Sequence, residues 1–356
     1  MFLNTTLRVV RTPTKWGEAD DTALSPTLAR LPILSPDLTD INFRVSAPLL
    51  EKTLGVFAET LQLLRHLRKV RISTFKVPGP DFESLVIALS ELPELQEIEI
   101  SCDGDCIGIW SSRGYQPLQS LQRLELEAQG TLAGAVSLLD CMAEVSSLTD
   151  VMLGDPFGGC TIDMNRVLKS MGGHRKLQQI EINADKALSA LTSQVLRQIS
   201  CCSLLESLEV NVGGPIELTD VGLGSCISSL TKLRFLTLKA GTRVAPTLTI
   251  NVLGIVTTSC PAIEGIQFSR LEMSAPDLQP VFQASKTLRT LHVGNSELFD
   301  PKAVALFLDK LSNVETFRVS SQPRELWSEV QKWALRLREA RFNEEAQLTS
   351  EREVLS

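Results

Sequence analysis

Leu95-Gln96-Glu97-Ile98-Glu99-Ile100 and, 26 residues on, Leu121-Gln122-Arg123-Leu124-Glu125-Leu126 share one phrase: leucine, two residues, aliphatic, one residue, aliphatic. Upstream it reads Leu38-Ile41-Phe43 and Leu67-Val70-Ile72; downstream it continues as Leu148-Val151-Leu153, Leu177-Ile180-Ile182, Leu205-Leu208-Val210, Leu233-Leu236-Leu238 and Ile263-Ile266-Phe268. Leu288-Leu291-Val293, Val314-Phe317-Val319 and a weaker Leu337-Ala340-Phe342 close the series. From Leu38 to Leu337, 299 residues hold 11 steps of 23 to 30 residues, a mean near 27. Self-similarity at a period of this size signals a solenoid, in which each unit buries its apolar face against its neighbours.

Alternate side chains of a strand point to opposite faces, so the second and third apolar positions, two apart, enter the core together. The segments between phrases read as helices. Asp81 is an N-cap candidate ahead of Phe82, Leu85, Val86 and Leu89 at helical spacing, with Glu83 in the first turn. Asp300-Pro301 pairs a capping carboxylate with the residue best suited to the first helical position, and Val304, Leu306, Phe307, Leu308 and Leu311 follow. Amphipathic stretches also lie at 47–66, 131–146, 187–202, 218–230, 249–259 and 324–336. Strand and helix alternating at this interval predict an α/β leucine-rich-repeat solenoid of 11 to 12 irregular repeats, a curved horseshoe with a parallel concave sheet and convex helices. The domain reading is an irregular N-terminal segment or partial cap at 1–37, a repeat domain at 38–342 and a charged tail at 343–356.

A chain that is 43% hydrophobic and 22% charged can bury a core, and no apolar run reaches the ~18 residues of a membrane span. Met1 to Trp16 has no signal-peptide core, so the expected compartment is the cytoplasm or nucleus and no membrane partner is expected. Cys141, Cys201, Cys202, Cys226 and Cys260 fall in or beside predicted helices as small buried hydrophobes, and no CxxC pair occurs. No zinc site and no cofactor are therefore expected. The run from Gly154 to Thr161 imitates a phosphate-binding loop, but cysteine stands where the lysine must reach the phosphates, which leaves a strand-to-helix turn. Asp103-Gly104-Asp105 opens like a calcium loop and then fails, because Ile107 occupies the next ligand position. His66, His174 and His292 are far apart in sequence and no nucleophile elbow occurs, so the chain reads as non-enzymatic, with no catalytic or metal residues.

Recognition is what remains, and the register locates its surface. Residues between the apolar positions point out of the concave face. In the second repeat they are basic: Arg68, Lys69 and Arg71. Across the next five repeats they include Glu97, Glu99, Glu125, Asp150, Glu181, Glu206 and Glu209, seven acids against the single base Arg123, and the following repeat adds Phe235. Strands ~4.8 Å apart would set Glu99, Glu125, Glu181 and Glu209 in an interrupted, mutually repelling acidic ladder suited to a basic protein segment. A nucleic-acid partner is disfavoured, since only one repeat is basic.

The irregular repeats, the scarcity of asparagine after the third apolar position, Leu218-Thr219-Asp220-Val221-Gly222-Leu223 and Ser259-Cys260-Pro261-Ala262-Ile263 together resemble the leucine-rich-repeat part of F-box proteins, in its divergent fungal form. The resemblance covers 38–342. It implies the substrate-binding part of a ubiquitin-ligase receptor, with repeats holding the target and an F-box holding a Skp-type adaptor. Here the chain departs from the pattern. Pro13, Pro26, Pro32 and Pro36 interrupt a three-helix reading of the residues before Leu38, so no adaptor-binding residues carry over and an F-box would have to lie upstream. The alternative is a free-standing repeat protein that inhibits or regulates a basic protein by clasping it.

Overall fold

The computed structural model describes residues 8–11, 21–45, 51–74, 79–103, 118–129, 133–142, 147–154, 161–184, 186–241, 248–272, 285–294, 300–311, 316–319, 327–337, 339–340 and 343. They fall into two compact units, Met1–Ala190 with Val210–Gly214, and Leu191–Glu209 with Pro215–Ser356.

In the first unit each leucine phrase becomes one strand of a parallel ladder. The strands are β1 (Val9–Arg11), β2 (Asp40–Val45), β3 (Lys69–Thr74), β4 (Glu97–Asp103), β5 (Arg123–Gln129), β6 (Asp150–Gly154) and, beyond a short strand β7 (Thr161–Ile162), β8 (Gln179–Ala184). Their order in the sheet is the order of the chain, with β7 outside it. The register puts like positions side by side: Ile41 beside Val70, Val70 beside Ile98, Ile98 beside Leu124 and Leu124 beside Val151. Helices Asp21–Leu34, Glu51–Leu63 and Gly79–Ser90 pack in series, and Ala133–Met142 packs on Met164–Gly172. A second parallel ladder pairs β7 with β9 (Lys186–Ala187).

The second unit repeats the plan. After β10 (Leu191–Thr192), and with β11 (Ser207–Val212) divided between the units, come β12 (Ile216–Glu217), β13 (Phe235–Ala240), β14 (Gly265–Phe268), β15 (Thr290–Val293) and β16 (Thr316–Val319). β13 to β16 pair in parallel in chain order, and β10 pairs with β12. Helices Asp220–Ile227 and Val252–Ser259 pack side by side, and Pro301–Leu311 lies on the latter.

Burial explains the period. In all ten phrases from Leu38 to Leu288 the three apolar positions are 2% exposed or less. Three residues before the phrase leucine, a buried residue turns the chain from helix into strand. Leu67, Leu121, Leu177, Leu205 and Leu233 donate their backbone N–H to the carbonyls of Leu64, Leu118, His174, Cys202 and Leu230 at 2.9 to 3.1 Å. The carbonyl after the phrase leucine then accepts two amides from the next repeat, as Thr39 does from Arg68 and Lys69, Arg68 from Gln96 and Glu97, and Arg234 from Glu264 and Gly265. These bonds lock successive repeats into one register.

Two readings change. The segment before Leu38, read as proline-broken and irregular, contains β1 and a 14-residue helix, Asp21–Leu34, with Pro26 and Pro32 inside it. Proline removes an internal hydrogen bond, but burial of Leu28 and Leu31 on the neighbouring helix outweighs that local loss. β1 pairs with β2 with Val10 beside Ile41, so the strand–helix alternation extends at least one unit ahead of the first recognised phrase. At the other end, the weak twelfth phrase at Leu337 is no strand. Leu337 and Ala340 are helical, in a segment that begins at Trp327 and buries Trp327 and Val330. Of the two caps expected, Asp81 lies inside the helix Gly79–Ser90 and not ahead of it, whereas Asp300 is a cap: its Oδ1 accepts from the amides of Lys302 and Ala303, each at 3.0 Å.

Candidate functional site

The face of the first unit's sheet that points away from the helices carries two rows of mostly polar side chains. One row runs Val9, Asp40, Lys69, Glu97, Arg123, Asp150, Gln179; the other runs Arg11, Asn42, Arg71, Glu99, Glu125, Met152, Glu181. Alternation on each strand produces them: β6 and β8 alternate partly exposed and buried residues along their length. The residues expected on this face, Lys69, Arg71, Glu97, Glu99, Glu125, Asp150 and Glu181, all stand in these rows, and Arg68 stands at the entry to β3.

The unpaired acidic ladder is corrected. Arg71 Nε lies 2.6 Å from Glu99 Oε2, Lys69 Nζ pairs with Glu97, and Arg123 lies 3.1 Å from Glu125. Glu181 accepts from Asn183 Nδ2 at 2.7 Å, and Glu209 faces Lys239 at 3.6 Å. The parallel register sets Lys69 beside Glu97 and Arg71 beside Glu99, so opposite charges meet across β3 and β4, while Glu99 and Glu125 stand side by side and are relieved by Arg71 and Arg123. Burial alone would lower the pKa of Arg123, but the Glu125 hydrogen bond and the charges of Glu125, Asp150 and Glu97 raise it overall. At the strand entry Glu94 binds His66 and Arg68, which together hold its carboxyl below the usual range.

What survives pairing is segregation. On β1 to β3, Arg11, Lys69 and Arg71 face the single acid Asp40, whose carboxylate takes a hydrogen bond from Thr39 Oγ1 at 2.6 Å. On β5 to β8, Glu125, Glu127, Asp150 and Glu181 face the single base Arg123. The seam is β4, where Glu97 and Glu99 reach back to Lys69 and Arg71. At the basic end lies a cleft of about 150 Å³ lined by Val9, Arg11, Asp40, Ile41, Asn42, Lys69 and Arg71. Arg11 escaped the sequence reading because its strand, β1, has no complete apolar phrase, although Val10 stands 31 residues before Ile41, close to one repeat; Asn42 stands between Ile41 and Phe43 of the first phrase, where the spacing already marks the open face.

In the second unit the corresponding face holds an apolar spot. Phe235, 43% exposed, lies over Gly265, where even a Cβ would stand 3.0 Å from the ring. The Arg234 guanidinium sits 5.6 Å from the ring centroid and pairs with Glu264 at 2.8 Å and Glu206 at 3.6 Å. That pairing holds the Glu264 carboxyl below its ordinary pKa. His292, 2.7 Å from the Gln267 amide, is pushed below its ordinary pKa by burial and then by Lys239 and Arg318.

Among the described residues no group of three or more His, Cys, Asp or Glu could hold a metal ion, and no helix is long and apolar enough to cross a membrane. Residues 104–117 and 155–160, which carry most of the calcium-like and phosphate-loop imitations, lie outside the described residues. Cys202 and Cys260 are buried, and burial pushes both thiols up to about 12, inert at neutral pH.

No protein-family model and no curated protein matches the chain. Among solved structures it is similar to a chain of the Rad7–Elc1 complex of yeast, with 16% identity and a TM-score of 0.51 over 89% of this chain and 77% of that one. A leucine-rich-repeat protein of Leptospira interrogans is 14% identical, TM-score 0.40, over 92% and 82% of the two chains. A chain of the TLR13–ssRNA13 complex is 16% identical, TM-score 0.41, over 84% and 38%. With one apolar phrase per strand and strands in chain order, the fold is an α/β leucine-rich-repeat solenoid.

Proposed function

We propose that the chain is a non-enzymatic protein-recognition scaffold that holds a polypeptide on the open face of its sheet, with a basic segment over β5 to β8. The observation that carries this reading is the patch of Glu125, Glu127, Asp150 and Glu181 on β5, β6 and β8, four carboxylates against one guanidinium on registered strands. Side chains held in place by a ladder lose little freedom on binding, which favours affinity. Such a field attracts cations and speeds encounter at low salt. The finer assignment, the substrate-binding part of an F-box-like ubiquitin-ligase receptor, is supported by the Leu218–Leu223 and Cys260–Ile263 phrases and by likeness to a chain solved in a two-protein complex.

The test titrates the full chain with a fluorescent lysine-rich peptide of about nine residues, long enough to cross the acidic strands. Replacing Glu125, Asp150 and Glu181 with their amides should weaken binding about tenfold or more at low salt, as loss of a complementary charged surface does. An equal number of replacements at Glu59, Glu83 and Glu91, on or beside the helices, should leave it unchanged. Equal affinities for both triple variants would sink the reading. Co-expression with a Skp-type adaptor separates the finer alternatives: recovery of a complex supports the receptor, and binding of the basic peptide without any adaptor complex supports a free-standing regulator.

A further inference from the structure

The two ends of the first unit's open face differ in sign, and the basic end contains a cleft. We infer that this cleft, lined by Arg11, Lys69 and Arg71, takes the carboxylate of an aspartate or glutamate belonging to the same polypeptide whose basic segment lies over β5 to β8. The inference rests on that recognition reading and adds a second subsite and a spacing to it.

Three cations and one carboxylate, Asp40, line the cleft, and Glu97 and Glu99 pair with Lys69 and Arg71 from β4, so the cleft's recognition lies in its convergent donors and in Arg11 rather than in a large net charge. Lys69 and Arg71 each hold a glutamate of β4 on one side only; a guanidinium has five donors and an ammonium three, so both keep hydrogens to give. Arg11 has no ion-pair partner among the described residues and stands exposed on β1, two positions along the register from Arg71 with Asn42 between them. A volume of about 150 Å³ accommodates a carboxylate with its methylene stem and excludes a folded element. Glu97 and Glu99 hold the two inner cations in place, so the donors are ordered before the ligand arrives. From the middle of the cleft on β2 to β5 and β6 is three to four strand spacings, ~14–19 Å, or about four to six residues of extended chain. The partner is therefore a bipolar segment: one acidic residue, a spacer of that length, then lysines or arginines.

Two fluorescent peptides of about nine residues distinguish the outcomes, one with glutamate and one with glutamine at the end opposite three lysines, each made in both chain directions. With the full chain at low salt, glutamate should bind about threefold to tenfold tighter than glutamine in one direction, the range expected for a charge-assisted contact in a partly enclosed site. Arg11→Gln should abolish that difference, while Arg65→Gln, equally exposed but off the face, should preserve it. If the glutamine peptide binds and glutamate adds nothing, or if Arg11→Gln leaves the ratio intact, the cleft assignment fails while the basic-segment reading stands. If neither peptide binds, both fail. Tighter binding of a phosphoserine than of a glutamate would overturn the carboxylate in favour of a phosphorylated side chain.

Discussion

Gly294 ends β15 against the main chain of Ser269, so close that a Cβ would run into the Ser269 carbonyl oxygen, which cannot swing aside as a side-chain tip can. Gly294→Ala should therefore cost about 1–3 kcal/mol, the range of overpacked sites, read as a fall in the urea midpoint at unchanged slope. His174 makes a different single-residue case. It fills a turn position that other repeats give to Leu64, Leu118 and Leu230, is 2% exposed, and holds Nε2 3.0 Å from the Leu139 carbonyl oxygen. Burial lowers its pKa against the opposing pull of that carbonyl and of Asp140. Since the folded pKa lies below the ordinary 6.5, the unfolded chain takes the proton first as pH falls; stability is full above about 6.5 and declines below it until the folded pKa is passed. Denaturation midpoints at about pH 7 and pH 5.5 should differ more in the wild type than in His174→Leu, and equal differences would refute the assignment. Residue types on the open face were legible from spacing alone. Their partners were not, because Arg71 and Glu99 are 28 residues apart and meet only through register.

Three successive helices, starting at Met164, Ser193 and Asp220, begin on a side-chain cap, and the caps give the Leu218–Leu223 phrase its physical content. Leu218 and Leu223 are buried; Thr219 Oγ1 accepts the Gly222 amide at 3.1 Å; Asp220 accepts the Thr249 amide at 2.8 Å and its hydroxyl, a bond to the following repeat. A Cβ on Gly222 would meet the Ser193 hydroxyl, which would have to turn aside to admit it. Asp163 and Thr192 cap the helices before it in the same way. Thr219→Ala should cost about 1 kcal/mol and Thr219→Ser almost nothing, measured by thermal or urea unfolding. Asp300-Pro301 was readable in advance because cap and first-turn proline are local chemistry. The helix Asp21–Leu34 was misread for the same reason in reverse: Pro26 and Pro32 argue locally against a helix that only burial of Leu28 and Leu31 on the neighbouring helix sustains.

At the scale of the molecule, stability is shared between neighbours. Ile98, 1% exposed and flanked in register by Val70 and Leu124, supports both adjoining strands. Ile98→Ala should cost about 2–5 kcal/mol, and hydrogen exchange should accelerate in β3 and β5 as well as β4. Acceleration confined to β4 would contradict nearest-neighbour coupling. A leucine phrase returning at a mean near 27 residues was enough to determine that the chain is a repeat solenoid, which positions enter the core and which face is free, because backbone alternation is a local property and burial follows from it. The tertiary structure decided that the sheet extends to β1, one unit ahead of the first phrase, that Glu97 and Glu99 are held by bases one repeat away, and that the remaining charge separates into a basic cleft at β1 to β3 and an acidic field at β5 to β8. Charge pairing acts across strands, between residues distant in the chain, and depends on a register set by the packed core.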